Sequence, residues 1–466
     1  MCSDITSAAV TANAAGRERR IDNARKRIVK YIFLVYWLLI FEGALRKWVF
    51  PQYHEFIFFA RDPIVLLIYI LAWRNNFFKR DGYLTAGMAL SMLFLPLLFI
   101  QLVVIDTHPL TLIYGWRMYF AYLPLIFVIK EVFHQEDIFR LIRQTLYISI
   151  PLTILVYFQY VSPPKSFINS AYSDGPVFIV ANNIVRTTGT FSFTAGQTMF
   201  AASLVAMLII AWLYRRRARL LSMPWLIVAT FTSVTTLLLS GSRTAFFMAG
   251  LVVASAFVGL IYTRGGSQKA TGISVLVLLV CLGAILFLGP FRDSFDALGT
   301  RFNQAERAEG SAWYRAFYPL FAFTDRIINT SAVGHGVGYG TSGGSRIATG
   351  KSQIVLPEDE WSRVVMEAGP IFGMMYIVYR ILFTLFIARQ CIRSSRVNNL
   401  VPMILFGFIG FYLLAGNITQ TGSVHGYNWI FVGLILAALK IQFSKTNNLR
   451  KRLSVPHKSK VPLNER

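Results

Sequence analysis

Charge is sparse in this 466-residue chain, and acidic charge is the sparsest: 22 Asp and Glu stand against 46 Lys and Arg. Only 15% of residues are charged while 55% are hydrophobic and 15% aromatic, a balance that one soluble core cannot absorb and that sends apolar side chains into lipid. Cysteine is almost missing. Cys2, Cys281 and Cys391 give neither a disulfide framework nor metal spacing. The six histidines contain no pair at the spacing of a zinc-binding helix, so neither a metal nor another cofactor is expected. No cleavable signal peptide is read, because the first 27 residues are polar and basic and the apolar run after them has no small-residue cleavage site.

What is abundant is apolar runs of membrane-spanning length, which need roughly 20 helical residues each. Spans are expected at 28–45, 63–79, 83–105, 110–130, 141–161, 196–214, 222–240, 244–262, 272–290, 369–388, 400–416 and 428–441. The fold class is therefore an all-α integral membrane protein of about 12 helices. It is divided into a basic tail at 1–27, a membrane domain at 28–441 and a second basic tail at 442–466. With both termini cytoplasmic, the segments on that side hold 30 of the 46 basic residues, as retention of positive charge demands. The net charge of +24 is mostly this signal, so nucleic acid is not an expected partner and membrane lipid is.

Two long loops face outward, 162–195 and 291–368. The second carries Arg292, Arg301, Arg307, Arg315, Arg326, Arg346, Lys351 and Arg363. That clustering opposes the retention rule. A long loop tolerates such charge, an anionic ligand would account for it, and the acids from Asp293 to Glu367 supply the alternative of a solvated face. A helix is expected over 311–328, followed by the glycine-rich turn VGHGVGYGTSGG. The turn lets backbone N–H groups approach a phosphate. It contains no Gly-Lys-Ser or Gly-Lys-Thr and is not read as a P-loop.

Several residues carry candidate chemistry. In LLLSGSRTAFFMAG, Gly241, Ser242 and Arg243 make a very short outward turn between spans seven and eight. It presents the arginine's planar fork either to a phosphate or to a neighbouring carboxylate. Arg117, in GWRMYFAYLP, lies within a span, where charge must be paired or face a wet cavity. Its neighbours Tyr119 and Tyr122 suit an interfacial aromatic belt. In LPEDEWSRVVMEAGPIFG, Pro357 is placed in the first turn of a helix, and Glu360, Arg363 and Glu367 share one face of it. Glu360 is a candidate base or one half of a structural ion pair. His335, inside the glycine-rich turn, is the other candidate base among the outward histidines His54, His108, His335 and His425. Glu42 with Arg46, one turn apart, and Asp62 as a helix cap before Pro63 read as structural.

The motifs taken together resemble the superfamily of O-antigen ligases and O-antigen or exopolysaccharide polymerases. The resemblance rests on SGSRTA at the seven-to-eight turn, the long loop before span ten, Arg301 and Arg315 around FNQAERAEGSAWY, the GHGVGYG turn and the closing EWSRVVMEAGPIFG. It is strongest over about 225–390. It implies a GT-C-like, metal-independent inverting glycosyltransferase in the bacterial inner membrane, with an undecaprenyl-pyrophosphate-linked glycan as donor and a chain-length regulator and export proteins as partners. By the same resemblance Arg243 would hold the pyrophosphate, helped by Arg117, Arg301, Arg315 and Arg363, with Glu360 or His335 acting on the acceptor hydroxyl. Ligases of this superfamily carry a histidine and a small polar residue shortly before the glycine that opens span ten. Here Glu358 and Asp359 stand there, which favours polymerase over ligase. A secondary transporter is the alternative of another class, opposed by the scarcity of acids within the spans and by the asymmetric loop. A component of a polysaccharide export complex is a third.

Overall fold

The computed structural model describes residues 2–170, 185–218, 220–264, 266, 272–273, 321–350, 356–357 and 359–454. All but the first two residues of the expected 272–290 span, together with Arg301 and Arg315, lie outside them. The described residues form helices and connections, with no β-strand among them. Nine of the helices, some of them interrupted, are long and apolar enough to cross a membrane, and two more apolar helices, Met223–Leu239 and Val401–Ala415, are shorter.

In chain order the helices are α1 (Cys2–Ala44), α2 (His54–Phe58), α3 (Arg61–Arg74), α4 (Gly82–Val104), α5 (Pro109–Trp116), α6 (Leu123–Val132), α7 (Gln135–Val161) and α8 (Thr194–Ala218). They continue with α9 (Met223–Leu239), α10 (Arg243–Tyr262), α11 (Phe323–Asn329), α12 (Ser342–Thr349), α13 (Glu360–Arg396), α14 (Val401–Ala415) and α15 (Gly422–Ser454). The basic tail expected before residue 28 is thus helical and continuous with α1, and α15 runs on past the expected end of the last span. The span expected at 63–79 stops at Arg74, where Asn75 caps it and Asn76 turns to a φ of 56°. Asp62 is not the cap of α3: it lies in the first turn, after Ala60. The span expected at 110–130 is two helices joined by a π-turn at Arg117–Ala121. Pro124 follows that turn and has no N–H to continue an α-helical ladder back through it.

Burial separates inner from outer helices. The apolar window of Thr194–Arg215 is 94% buried and that of Gly422–Ile441 89%, against 22% for Phe56–Arg74. Helices α8 and α15 are therefore the centre, while α3 turns Leu66, Ile70 and Trp73 outward, as a lipid-facing helix does. Close approach at the centre depends on small side chains, since a Cβ on Gly407 of α14 would collide with Ser255 of α10.

Polar contacts sort the connections into two groups, one at each end of the bundle. At one end Lys130 pairs with Asp81 (2.6 Å), Arg25 with Asp137 (2.8 Å) and Lys440 with Glu131, and the Arg264 N–H donates to Asn398 (3.1 Å). The opposite end gathers the segment after α1, residues 185–194, the α9–α10 turn, residues 321–350 and the 416–422 loop.

Helix α13 is where the chain departs furthest from a simple span. At Gly369 the backbone adopts φ 77° and ψ 165°, and Pro370 follows. The halves fold back on each other: Gly373 meets the backbone of Val364 and Val365, and Glu360 reaches Arg380 across the turn (2.9 Å). The first half begins at Glu360, with Asp359 as cap accepting from the Ser362 N–H (3.0 Å), so Pro357 precedes the helix instead of occupying its first turn. Gly369→Ala should destabilise the protein by about 1–3 kcal/mol from backbone strain alone, and a Cβ there also meets the Ala332 carbonyl. SDS titration of the detergent-solubilised variant checks this, and wild-type resistance would contradict it.

Candidate functional site

A cavity of about 370 Å³ lies at the end opposite Asp81. Its walls come from the end of α1 (Leu39, Glu42, Gly43, Arg46), the residues leading into α3 (His54, Phe58, Phe59, Arg61), Tyr114 of α5, residues 191–193, helix α12 and residues 420–423. Among its described lining residues three arginines, Arg46, Arg61 and Arg346, stand against one carboxylate, Glu42. Arg61 and Glu42 are buried, with Arg61 Nε 2.9 Å from Glu42 Oε2 and Arg46 Nη1 3.5 Å from Glu42 Oε1. Guanidinium groups gathered in one recess favour an anionic ligand.

Local structure explains how each wall is held. Arg61 also donates to the Gly422 carbonyl (3.2 Å), which ties α3 to the start of α15, and Arg46 donates to Ser192 (3.3 Å), which ties α1 to the 185–194 segment. Helix α12 is capped by Thr341, whose hydroxyl accepts from the Gly344 N–H (3.0 Å), and it ends at Gly350 with φ 72°. Gly343 lies directly on the Tyr114 ring, where any side chain would collide, and Ser342 donates to the Gln420 carbonyl. These contacts aim Arg346 into the cavity.

Arg117 stands behind this wall. Its Nε and Nη2 grip Asp62 at 2.7 and 2.8 Å, and its guanidinium is boxed by Phe58, Phe59, Tyr114 and Tyr122 at 5.4–5.7 Å from the ring centres. Tyr122 also donates to Asp62 (2.5 Å). Three of those four aromatics line the cavity as well, so the Arg117–Asp62 pair fixes the wall's position.

The glycine-rich turn is already filled. Gly338 and Gly340 direct their N–H groups at the Glu367 carboxylate (3.1 and 2.7 Å), Tyr119 donates to it (2.7 Å), and the N–H groups of His335 and Gly336 bond the Met366 and Glu367 carbonyls. Positive φ values at Gly334, Gly336 and Gly338 give the turn this concave shape. It is an anion cradle whose anion is a protein side chain. Tyr119, expected in an aromatic belt, is buried here.

Glu360 and Arg363 are fully buried and pair with each other. Arg363 also donates to Thr419 (2.7 Å), and Arg380 bonds Glu360 while taking the carbonyls of Tyr412, Leu413 and Gly416 at 2.8–3.1 Å. Of the two readings of Glu360, the geometry matches the ion pair. His335 is exposed, with Nδ1 on the Met366 carbonyl, and His425 is buried against the Met118 carbonyl. Arg243 opens α10 and is half-buried; in the preceding turn Ser242 accepts from Arg186 (3.1 Å) and Thr198 (3.0 Å). The cavity lining includes none of Glu360, His335, Arg243, Arg117 or Arg363.

The residues that do line it, Glu42, Arg46, Arg61 and Arg346, were legible only as local charge. A signal existed: FEGALRKW and ARDPIVLL place five charged residues at the facing ends of two consecutive apolar runs, where desolvation makes charge costly and suggestive of function. Arg380, inside an apolar run, carried the same signal. Among known proteins, no family model matches the chain and no curated protein matches it.

Arg380→Met should destabilise the fold by about 3–5 kcal/mol, because it leaves Glu360 buried without its second cation and strips three helix-end carbonyls of their donor. Unfolding in detergent measures the loss, and a change within about 0.5 kcal/mol would contradict it.

Proposed function

We propose that the chain is a glycosyltransferase of the bacterial cytoplasmic membrane, of the O-antigen ligase and polymerase type. It joins repeat units carried on undecaprenyl pyrophosphate at the periplasmic face. The observation that carries this reading is the arginine-lined cavity, in which three guanidinium groups outnumber one carboxylate. Pyrophosphate is a good leaving group once its developing charge is met, so fixed arginines and an oriented acceptor hydroxyl are what the transfer requires. Arg46, Arg61 and Arg346 hold the diphosphate, and Arg117 keeps the aromatic wall behind it in place. Arg186, which donates to Ser242, and Arg243 meet at the α9–α10 turn, toward which the glycan extends.

Twelve spans and a cytoplasmic amino terminus fit this reading. Arg264 lies at the Asp81 end of the bundle, while Phe323 packs on Trp361 at the cavity end (5.4 Å between ring centres). Arg264 and Phe323 thus lie at opposite ends of the bundle, which supports the span expected between them. The Asp81 end collects the basic connections expected inside, which supports a reading with the cavity on the outer side. A transporter is less well supported, since the buried acids Glu360 and Glu367 are already held by arginines and backbone amides in one asymmetric hairpin.

Deletion should leave single lipid-linked repeats accumulating while long polymer disappears. A complementing copy carrying Arg346→Ala should insert at wild-type levels and restore no polymer. Lipid and polysaccharide profiles of the two strains check both. Full-length polymer stranded on the carrier in the deletion strain would make the chain a ligase, and normal polymer from Arg346→Ala would remove the cavity from the reaction.

A further inference from the structure

Glu42 differs from the other carboxylates near the cavity in how it is held. Asp62 is closed into a two-pronged pair with Arg117 at 2.7 and 2.8 Å. Glu367 is wrapped by two amides and a tyrosine hydroxyl, and Glu360 is shared between Arg363, Arg380 and the Thr419 N–H. Glu42 has only Arg46, at a stretched 3.5 Å, and Arg61 Nε, which lies 2.9 Å away but out of hydrogen-bond alignment. Both partners line the cavity, and Glu42 is the single carboxylate among its described lining residues. Each arginine has further anchors, Ser192 for Arg46 and the Gly422 carbonyl for Arg61. Neither needs Glu42 to stay in place.

An incoming diphosphate meets the same two guanidinium groups with stronger, multidentate acceptors. It displaces Glu42 from them, and the freed carboxylate faces the space the acceptor must enter. Resting on the glycosyltransferase reading, we propose that Glu42 is an exchangeable counter-ion that becomes the proton acceptor for the acceptor hydroxyl once pyrophosphate has taken Arg46 and Arg61. The acceptor O–H bond breaks and its proton passes to Glu42. The oxygen forms a new bond to the anomeric carbon, and the bond from that carbon to the pyrophosphate oxygen breaks, its electron pair leaving with undecaprenyl pyrophosphate. Departure of that product lets Glu42 return its proton to water and pair again with the arginines. Donor binding thus arms the base, so that it is held away from the acceptor until a donor is present.

The test uses the full chain in proteoliposomes, with geranyl pyrophosphate as a binding probe and lipid-linked glycan extracted from the deletion strain as donor. Glu42→Gln should lower turnover by about a hundredfold or more, the range for loss of a general base. The same variant should bind geranyl pyrophosphate as tightly as wild type or more tightly, because a competing anion has gone. Glu42→Asp, which keeps the carboxylate, should recover part of the turnover. Turnover of Glu42→Gln within about threefold of wild type would overturn the assignment and leave the glycosyltransferase reading standing. Parallel loss of binding, turnover and SDS resistance would also overturn it, by making Glu42 a structural tie. A wild-type protein that fails to bind geranyl pyrophosphate would bring down both.

Discussion

Four buried charges, Glu360, Arg363, Glu367 and Arg380, hold together the end of the molecule where the cavity lies. Separately each would be too costly to bury in a membrane protein; together they are neutral, and the network extends through hydroxyls, amides and carbonyls as well as ion pairs. Arg380 donates to the carbonyls of Tyr412 and Leu413 in the last turn of α14 and of Gly416, which caps it. Glu367 organises the glycine-rich turn by collecting its amides. Because the four residues belong to one helical hairpin folded at Gly369, a single backbone feature positions both the 416–422 loop and the segment leading into α12.

From that hairpin the path to the cavity is short. The 416–422 loop presents its carbonyls to Ser342 and Arg61, and α12 is pinned between that loop and Tyr114. On the opposite wall the Arg117–Asp62 pair fixes the aromatics that separate it from the cavity. The tight charge pairs thus belong to the walls, while the one loosely held carboxylate, Glu42, belongs to the space between them.

The helical membrane architecture was legible in the sequence because apolar run length and basic-residue bias report directly on lipid and on retention. Eleven of the twelve expected spans have a helical counterpart among the described residues. The hairpin within α13 was not legible, since Gly369-Pro370 reads equally well as the start of a span, and only tertiary contact with Ala332 and Gly334 shows the chain reversing there. Site residues fared unevenly for a related reason. Arg117 and Glu360 stood out as charges in unusual places, but whether such a charge faces a partner or a cavity depends on helices distant in the chain: Asp62 for the one, Arg380 for the other. Glu42 and Arg46 looked like an ordinary one-turn pair until Arg61 and α12 were brought beside them.

The central claim, that the cavity between α1, α3 and α12 receives a lipid-linked diphosphate, is tested most directly by photo-crosslinking. A polyprenyl pyrophosphate bearing a diazirine next to the diphosphate would be bound to the protein in native membranes, irradiated, and the labelled peptides mapped by mass spectrometry. Label is expected within residues 39–61 and 342–350, and excess unlabelled pyrophosphate should abolish it. Label confined to other parts of the chain, or insensitive to pyrophosphate, would contradict it.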